Sequence, residues 1–215
     1  MKVCWVSLLV CTLFSVTTLA QNTPWWELYG GYQFASYRTD QMQTLISQSS
    51  SSAGIAGANV SNHLNMNGWN LAVQENQNSW FSGIIDFSGV YGNTHANLSQ
   101  PRGTKPAANF SPGFFTMGGG PQFTYRKSER VQPFARIIFA AAYCNLNPNL
   151  FITNHASGSS ADTDFALICG GGIDYRLNSY AFFRIAGDYI HTSLFSQGQN
   201  NFRITAGIDF RIARH

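Results

Sequence analysis

The chain has 215 residues, with 13 Lys and Arg against 10 Asp and Glu, a net charge of +3 that is too close to neutral for a nucleic-acid binder. Charged residues make up only 11%, against about 25% in an ordinary soluble domain, while aromatics reach 14% and there are 20 glycines. That balance suits one domain whose outer wall faces lipid.

The first element is a leader. Met1-Lys2 supplies a short positive start, residues 3–16 are mostly apolar, and Thr18-Leu19-Ala20 is a small-x-small cleavage site. This pattern predicts a secretory signal peptide over residues 1–20, too short for an anchor helix, with Gln21 as the mature N-terminus. Cys4 and Cys11 leave with it, and neither stands just after the cut, so nothing suggests a lipoprotein anchor. No later run of about 18 apolar residues follows, which argues against a transmembrane helix.

Eight extended segments come next, over residues 26–36, 67–75, 80–91, 114–126, 131–145, 164–177, 180–191 and 200–212. The last is the clearest. Phe202, Ile204, Ala206, Ile208, Phe210 and Ile212 share one face, and Asn201, Arg203, Thr205, Gly207, Asp209 and Arg211 share the other. Side chains alternate sides along a strand, so one wall is apolar and the other polar. The length matches the roughly 9–11 residues a tilted strand needs to cross a bilayer.

The connections alternate in length. Residues 76–79, 127–130 and 178–179 are tight turns, whereas 37–66, 92–113, 146–163 and 192–199 are long. Short turns at one end and long loops at the other predict an all-β fold: an eight-stranded antiparallel up-and-down transmembrane β-barrel over residues 21–215. The turns and both termini are expected in the periplasm and the loops outside the cell. The first loop carries a flexible polar tract, Ser47-Gln48-Ser49-Ser50-Ser51-Ser52.

A soluble barrel of lipocalin type would show the same alternation with the apolar face inward. Its polar face would then be rich in Lys and Glu. Here that face carries mainly Gly, Ala, Ser, Thr, Asn and Gln, which suits a cramped interior. Trp25, Trp26, Trp80, Tyr125, Tyr175 and Tyr180 gather near the turns, and Trp69, Tyr91, Tyr143 and Tyr189 near the loops. Two such bands read as interfacial girdles.

Several motifs carry a family resemblance. They are Trp26-Glu-Leu-Tyr-Gly-Gly-Tyr, Asn67-Gly-Trp-Asn-Leu-Ala-Val, Asp86-Phe-Ser-Gly-Val-Tyr-Gly, Gly120-Pro-Gln-Phe-Thr-Tyr-Arg, Val131-Gln-Pro-Phe-Ala, Gly170-Gly-Gly-Ile-Asp, Asp188-Tyr and the segment from Gln199 to Arg211. Together they resemble the OmpA-like outer-membrane β-barrel family, in the form common in acidobacterial outer membranes. The resemblance implies a bacterial outer-membrane location. It also implies outer-membrane lipid, lipopolysaccharide and the barrel assembly machinery as partners, and a monomer. Such chains usually end on an aromatic residue; here Phe210 is followed by Arg211-Ile212-Ala213-Arg214-His215.

The same parity places Glu27, Asp86, Asp174, Asp188 and Asp209 inside, with Arg136, Arg176, Arg184, Arg203 and Arg211. Charges there are tolerable only if paired or wet. An eight-stranded barrel is just wide enough for its side chains to fill it, so a plug of salt bridges is expected ahead of a small gated channel. A symmetric hairpin around 192–199 sets Asp188 opposite Arg203. A turn at Asn178-Ser179 sets Leu177 opposite Ala181 and Asp174 opposite Arg184, which leaves Arg184 diagonal to Asp209.

Other candidates are weaker. Gly118-Gly-Gly and Gly170-Gly-Gly lack the Gly-Lys-Ser/Thr of a phosphate loop and sit inside strands. Cys144 and Cys169 fall at different heights on opposite faces, which argues against a disulfide. His63, His95, His155, His191 and His215 are scattered, with no metal-ligand spacing, so neither metal nor cofactor is expected. His191-Thr192-Ser193 resembles the catalytic pair of lipid A deacylase barrels, with Ser193 as nucleophile and His191 as base, but no acid lies between Asp188 and Asp209 to orient the base. The expected function is therefore non-enzymatic: envelope integrity, or interaction with a surface ligand through the long loops.

Overall fold

In the computed structural model the described residues are 24–38, 58–59, 63–98, 107–145, 148–149, 161–193 and 198–212. The expected signal peptide, the serine tract, His155 and His215 lie outside them. Eight long strands run in chain order: β1 Trp26–Arg38, β2 His63–Asn76, β3 Phe81–Tyr91, β4 Gly113–Thr124, β5 Val131–Asn145, β6 Ala161–Arg176, β7 Ala181–Thr192 and β8 Gln199–Ile212. Each pairs antiparallel with its chain neighbours, and β1 pairs with β8 from Trp26↔Ile212 to Ser36↔Phe202, closing the barrel. Closure leaves no barrel edge unpaired, as a lipid environment requires.

Four strands, β1, β2, β6 and β8, are longer than the alternation alone indicates, and β3 and β4 are shorter. β2 begins at His63: its alternating start, His63-Leu64-Asn65-Met66, pairs with Arg38 through Ala35 on β1. At the turn end the hairpins are tight. Leu177 N donates to Ala181 O at 3.0 Å, and the Asn178 side-chain oxygen accepts from the amides of Tyr180 and Ala181, both at 2.8 Å. Asn78 does the same for Trp80 and Phe81 in the first tight turn, 77–80, where Trp80 stands just outside the strand. An asparagine at this position supplies the turn's missing acceptor from its own side chain.

The sequence reading left the long connections without strands. The structure places four short strands there, Ala58–Asn59, Thr94–Leu98, Ala107–Phe110 and Pro148–Asn149, paired in that order into a second small sheet. They are too short and too polar to show a period of two. Their pairing ties the first three loops together by backbone.

The wall is inside-out relative to a soluble barrel. Phe202, Ile204, Phe210 and Ile212 are exposed, while Asn201, Arg203, Thr205, Asp209 and Arg211 on the same strand are buried. All ten girdle aromatics named above are exposed. Only a wall solvated by lipid makes that arrangement favourable.

Candidate functional site: the barrel interior

The interior is built in three layers. Nearest the turns, Glu27 of β1, Asp174 of β6 and Asp209 of β8 converge, with one carboxylate oxygen of each within 4.8 Å of the others. Three carboxylates, each with one oxygen this near the others, would repel in isolation; three guanidiniums sit among them. Arg184 of β7 grips Asp174 through Nε at 2.6 Å and Nη2 at 2.8 Å, and reaches Glu27 at 3.3 Å and Asp209 at 3.5 Å. Arg211 of β8 donates to Asp174 at 2.9 Å, Asp209 at 3.2 Å and Gln132 at 2.7 Å. Arg126 donates to Glu27 at 2.8 Å and to Asn76 at 2.7 Å. Three negative charges face three positive ones, so the layer is balanced in charge.

The expectation for Arg176 is corrected here. It has the right parity, but it ends β6 beyond the last full layer, and its exposed side chain donates to Asn178 O at 3.3 Å. Arg126 takes the fifth basic place. Parity carried through buried Thr124 reaches it, so the signal was present in the sequence.

The second layer lies mid-barrel. Arg136 of β5 clasps Asp188 of β7 through Nε at 3.0 Å and Nη2 at 2.7 Å. Arg203 of β8 binds the same Asp188 at 2.6 Å and Asp86 of β3 at 3.0 Å. Asn70 donates to Asp86 at 2.9 Å, and Ser88 lies 2.7 Å from Thr116, hydroxyl to hydroxyl. Two acids face two bases. The expected oppositions hold: Asp188↔Arg203 and Asp174↔Arg184 are register partners. Paired, hydrogen-bonded charges of this kind are the tolerable form of burial.

The ring of Phe134 separates the two charged layers. The Arg184 guanidinium carbon lies 4.8 Å from its centre and that of Arg136 5.8 Å. Glycines make the room. Gly170 stands in register between Arg136 and Asp188, and the Arg136 side chain passes over it to reach an acid two strands away. A Cβ at Gly172 would meet the Phe134 ring. The glycine triplet of β6 thus clears space for side chains, and Gly118–Gly120 lies likewise within β4.

The third layer, nearest the loops, is apolar, which the sequence reading did not anticipate. Leu64, Met66, Val90, Phe114, Ile168 and Ile190 are buried there with alanines 35, 140, 142 and 166. Tyr37 of β1 and Phe114 of β4 meet across the lumen with ring centroids 4.4 Å apart. Small residues on the inward face suggested a cramped interior, and here the alanines share one cluster with these larger groups.

The remaining candidates stay apart. Cys144 pairs in register with Asp162 and Cys169 with Ile137, so the two thiols are seven steps apart along β6, and both are free. His63 is exposed at the start of β2. His191 and Ser193 are exposed at the loop end of β7. His191 Nδ1 lies 2.7 Å from the Asn200 side-chain oxygen, whereas Asp188 is bound by Arg136 and Arg203 and Asp209 lies in the turn-side layer.

A closed eight-stranded barrel with an apolar outer wall, aromatic girdles and its charges inside is a transmembrane β-barrel. The chain belongs to the outer membrane protein β-barrel domain family, which matches residues 6–211, and it is an outer-membrane protein. Its fold is similar to that of Ail, the attachment invasion locus protein of Yersinia pestis (TM-score 0.51, 15% identity, 87% of this chain and 99% of that one). Neisserial surface protein A is similar too (TM-score 0.57, 8% identity, 87% and 97%). So is OprG of Pseudomonas aeruginosa (TM-score 0.54, 11% identity, 91% and 99%). At these identities the superpositions show a shared fold and nothing more. No curated protein matches the chain.

Proposed function

We propose that this protein is a closed, non-enzymatic barrel that supports the envelope and interacts with surface ligands through its loop end. In this reading the long loops face outward and the turns and termini face the periplasm. Outer-membrane lipid and lipopolysaccharide surround a monomer that the barrel assembly machinery inserts. The observation that carries it is the filled lumen. Two charge-neutral layers and an apolar one are packed across the barrel, leaving the loop end, with its own small sheet, as the surface able to engage other molecules. Planar-bilayer recording tests this: the purified barrel should give no steady conductance. Stable openings of porin size in most insertions would overturn it.

Hydrolysis of lipid A is the reading to be set against it. The third member of such a site should be an acid that orients the His191 base. The group that meets His191 is the amide of Asn200. Ser193→Ala is therefore expected to leave the mass spectrum of cellular lipid A unchanged. Loss of a deacylated species in that variant would make the protein a hydrolase.

A further inference from the structure

We infer that the apolar layer near the loops, and not the ion-pair network, is the barrier that keeps this barrel closed to protons and small ions. The inference rests on the closed-barrel reading and adds where the closure lies. The two charged layers are poor insulators by composition. They consist of carboxylates, guanidiniums and amides that exchange hydrogen bonds readily. Several of their buried atoms retain unused capacity: Asp209 Oδ1, Arg184 Nη1, Arg203 Nη2 and both polar atoms of Gln33 have no hydrogen-bond partner. Folded proteins satisfy such atoms with ordered water, which is also what protons and ions travel through.

The third layer offers fewer such atoms: Tyr37 Oη and Thr192 Oγ1 are buried there without a hydrogen-bond partner, and most of its other buried side chains are hydrocarbon. Register joins its members directly across three of the barrel's seams. Tyr37 opposes Leu64, Ala35 opposes Met66, Val90 opposes Phe114, and Ile168 opposes Ile190. Every strand except β8, which contributes Asn201, sends a buried apolar side chain into it. The Tyr37–Phe114 contact spans the lumen between strands that are three steps apart in the barrel order. A constriction lined this way blocks ions by excluding water, whatever its exact width.

The test uses the full barrel in vesicles loaded with a pH-sensitive dye and given a pH step. Phe114→Ser/Ile168→Ser should raise the proton leak about tenfold over the unmodified barrel, while Asp188→Asn/Arg203→Gln should stay within about twofold of it. Folding of each variant is confirmed by its gel shift before and after boiling. Where the first variant does not fold, Val90→Thr/Ala166→Ser puts hydroxyls into the same layer at nearly constant volume and should raise the leak in the same direction. A leak raised by the charge variant alone, or by neither folded variant, overturns the inference. A leaking unmodified barrel would instead overturn the closed-barrel reading on which it rests.

Discussion

Arg184→Ala is expected to cost the barrel about 3–5 kcal/mol, the range for stranding a buried charge, while Arg176→Ala stays within about 0.5 kcal/mol. The two arginines share a hairpin and a parity. What separates them is contact. Arg184 is buried and reaches three carboxylates, Asp174, Glu27 and Asp209, at 2.6 to 3.5 Å. Its loss leaves those acids to Arg126 and Arg211 alone. Arg176 is exposed at the turn. Urea unfolding from detergent measures both. Because Asp174 and Arg184 form a direct two-point contact, the double variant Asp174→Ala/Arg184→Ala should lose less than its singles combined. Simple additivity would mean that the two do not touch.

A branched side chain at Gly170 should be worse than either truncation. A Cβ there would meet Asp188 Oδ1 and the Gly187 carbonyl. Gly170→Val therefore overfills the lumen, at about 1–3 kcal/mol, and also forces Asp188 away from Arg136, at about 3–5 kcal/mol more. The combined loss approaches the whole stability of an ordinary domain, so the variant should fail to give the boiling-sensitive gel shift of a closed barrel. Gly187→Ala is the control. It faces outward, and its Cβ would make only ordinary contact with the Phe202 ring at 3.5 Å. A folded Gly170→Val barrel of normal stability would show that Arg136 does not need the path over that glycine.

Most of this architecture was legible because a membrane barrel writes itself in period two. Strand β5 was bounded correctly at both ends, Val131 and Asn145, between the polar turn 127–130 and the loop that starts at Leu146. The pairing of Asp188 with Arg203 followed from loop symmetry and the rule that ladder partners share a face. Three things were not legible, for different reasons. Arg176 was misplaced because parity tells direction and not depth. The layering of the interior was hidden because inward positions from eight distant segments form each layer, and no single segment shows more than one or two of them. The loop sheet was invisible because strands of two to five residues carry too few positions for any period to register.

Glu27 adds a consequence in time. It stands on the first strand, yet its cationic partners, Arg126, Arg184 and Arg211, come from β7, β8 and the residues after β4. Arg184 lies 157 residues further along the chain. A growing sheet therefore carries Glu27 with most of its compensation missing until the final strands arrive. In hydrocarbon an uncompensated charge is costly, so a half-built sheet gains little by inserting early. The strand made first thus draws its charge balance largely from the two strands made last.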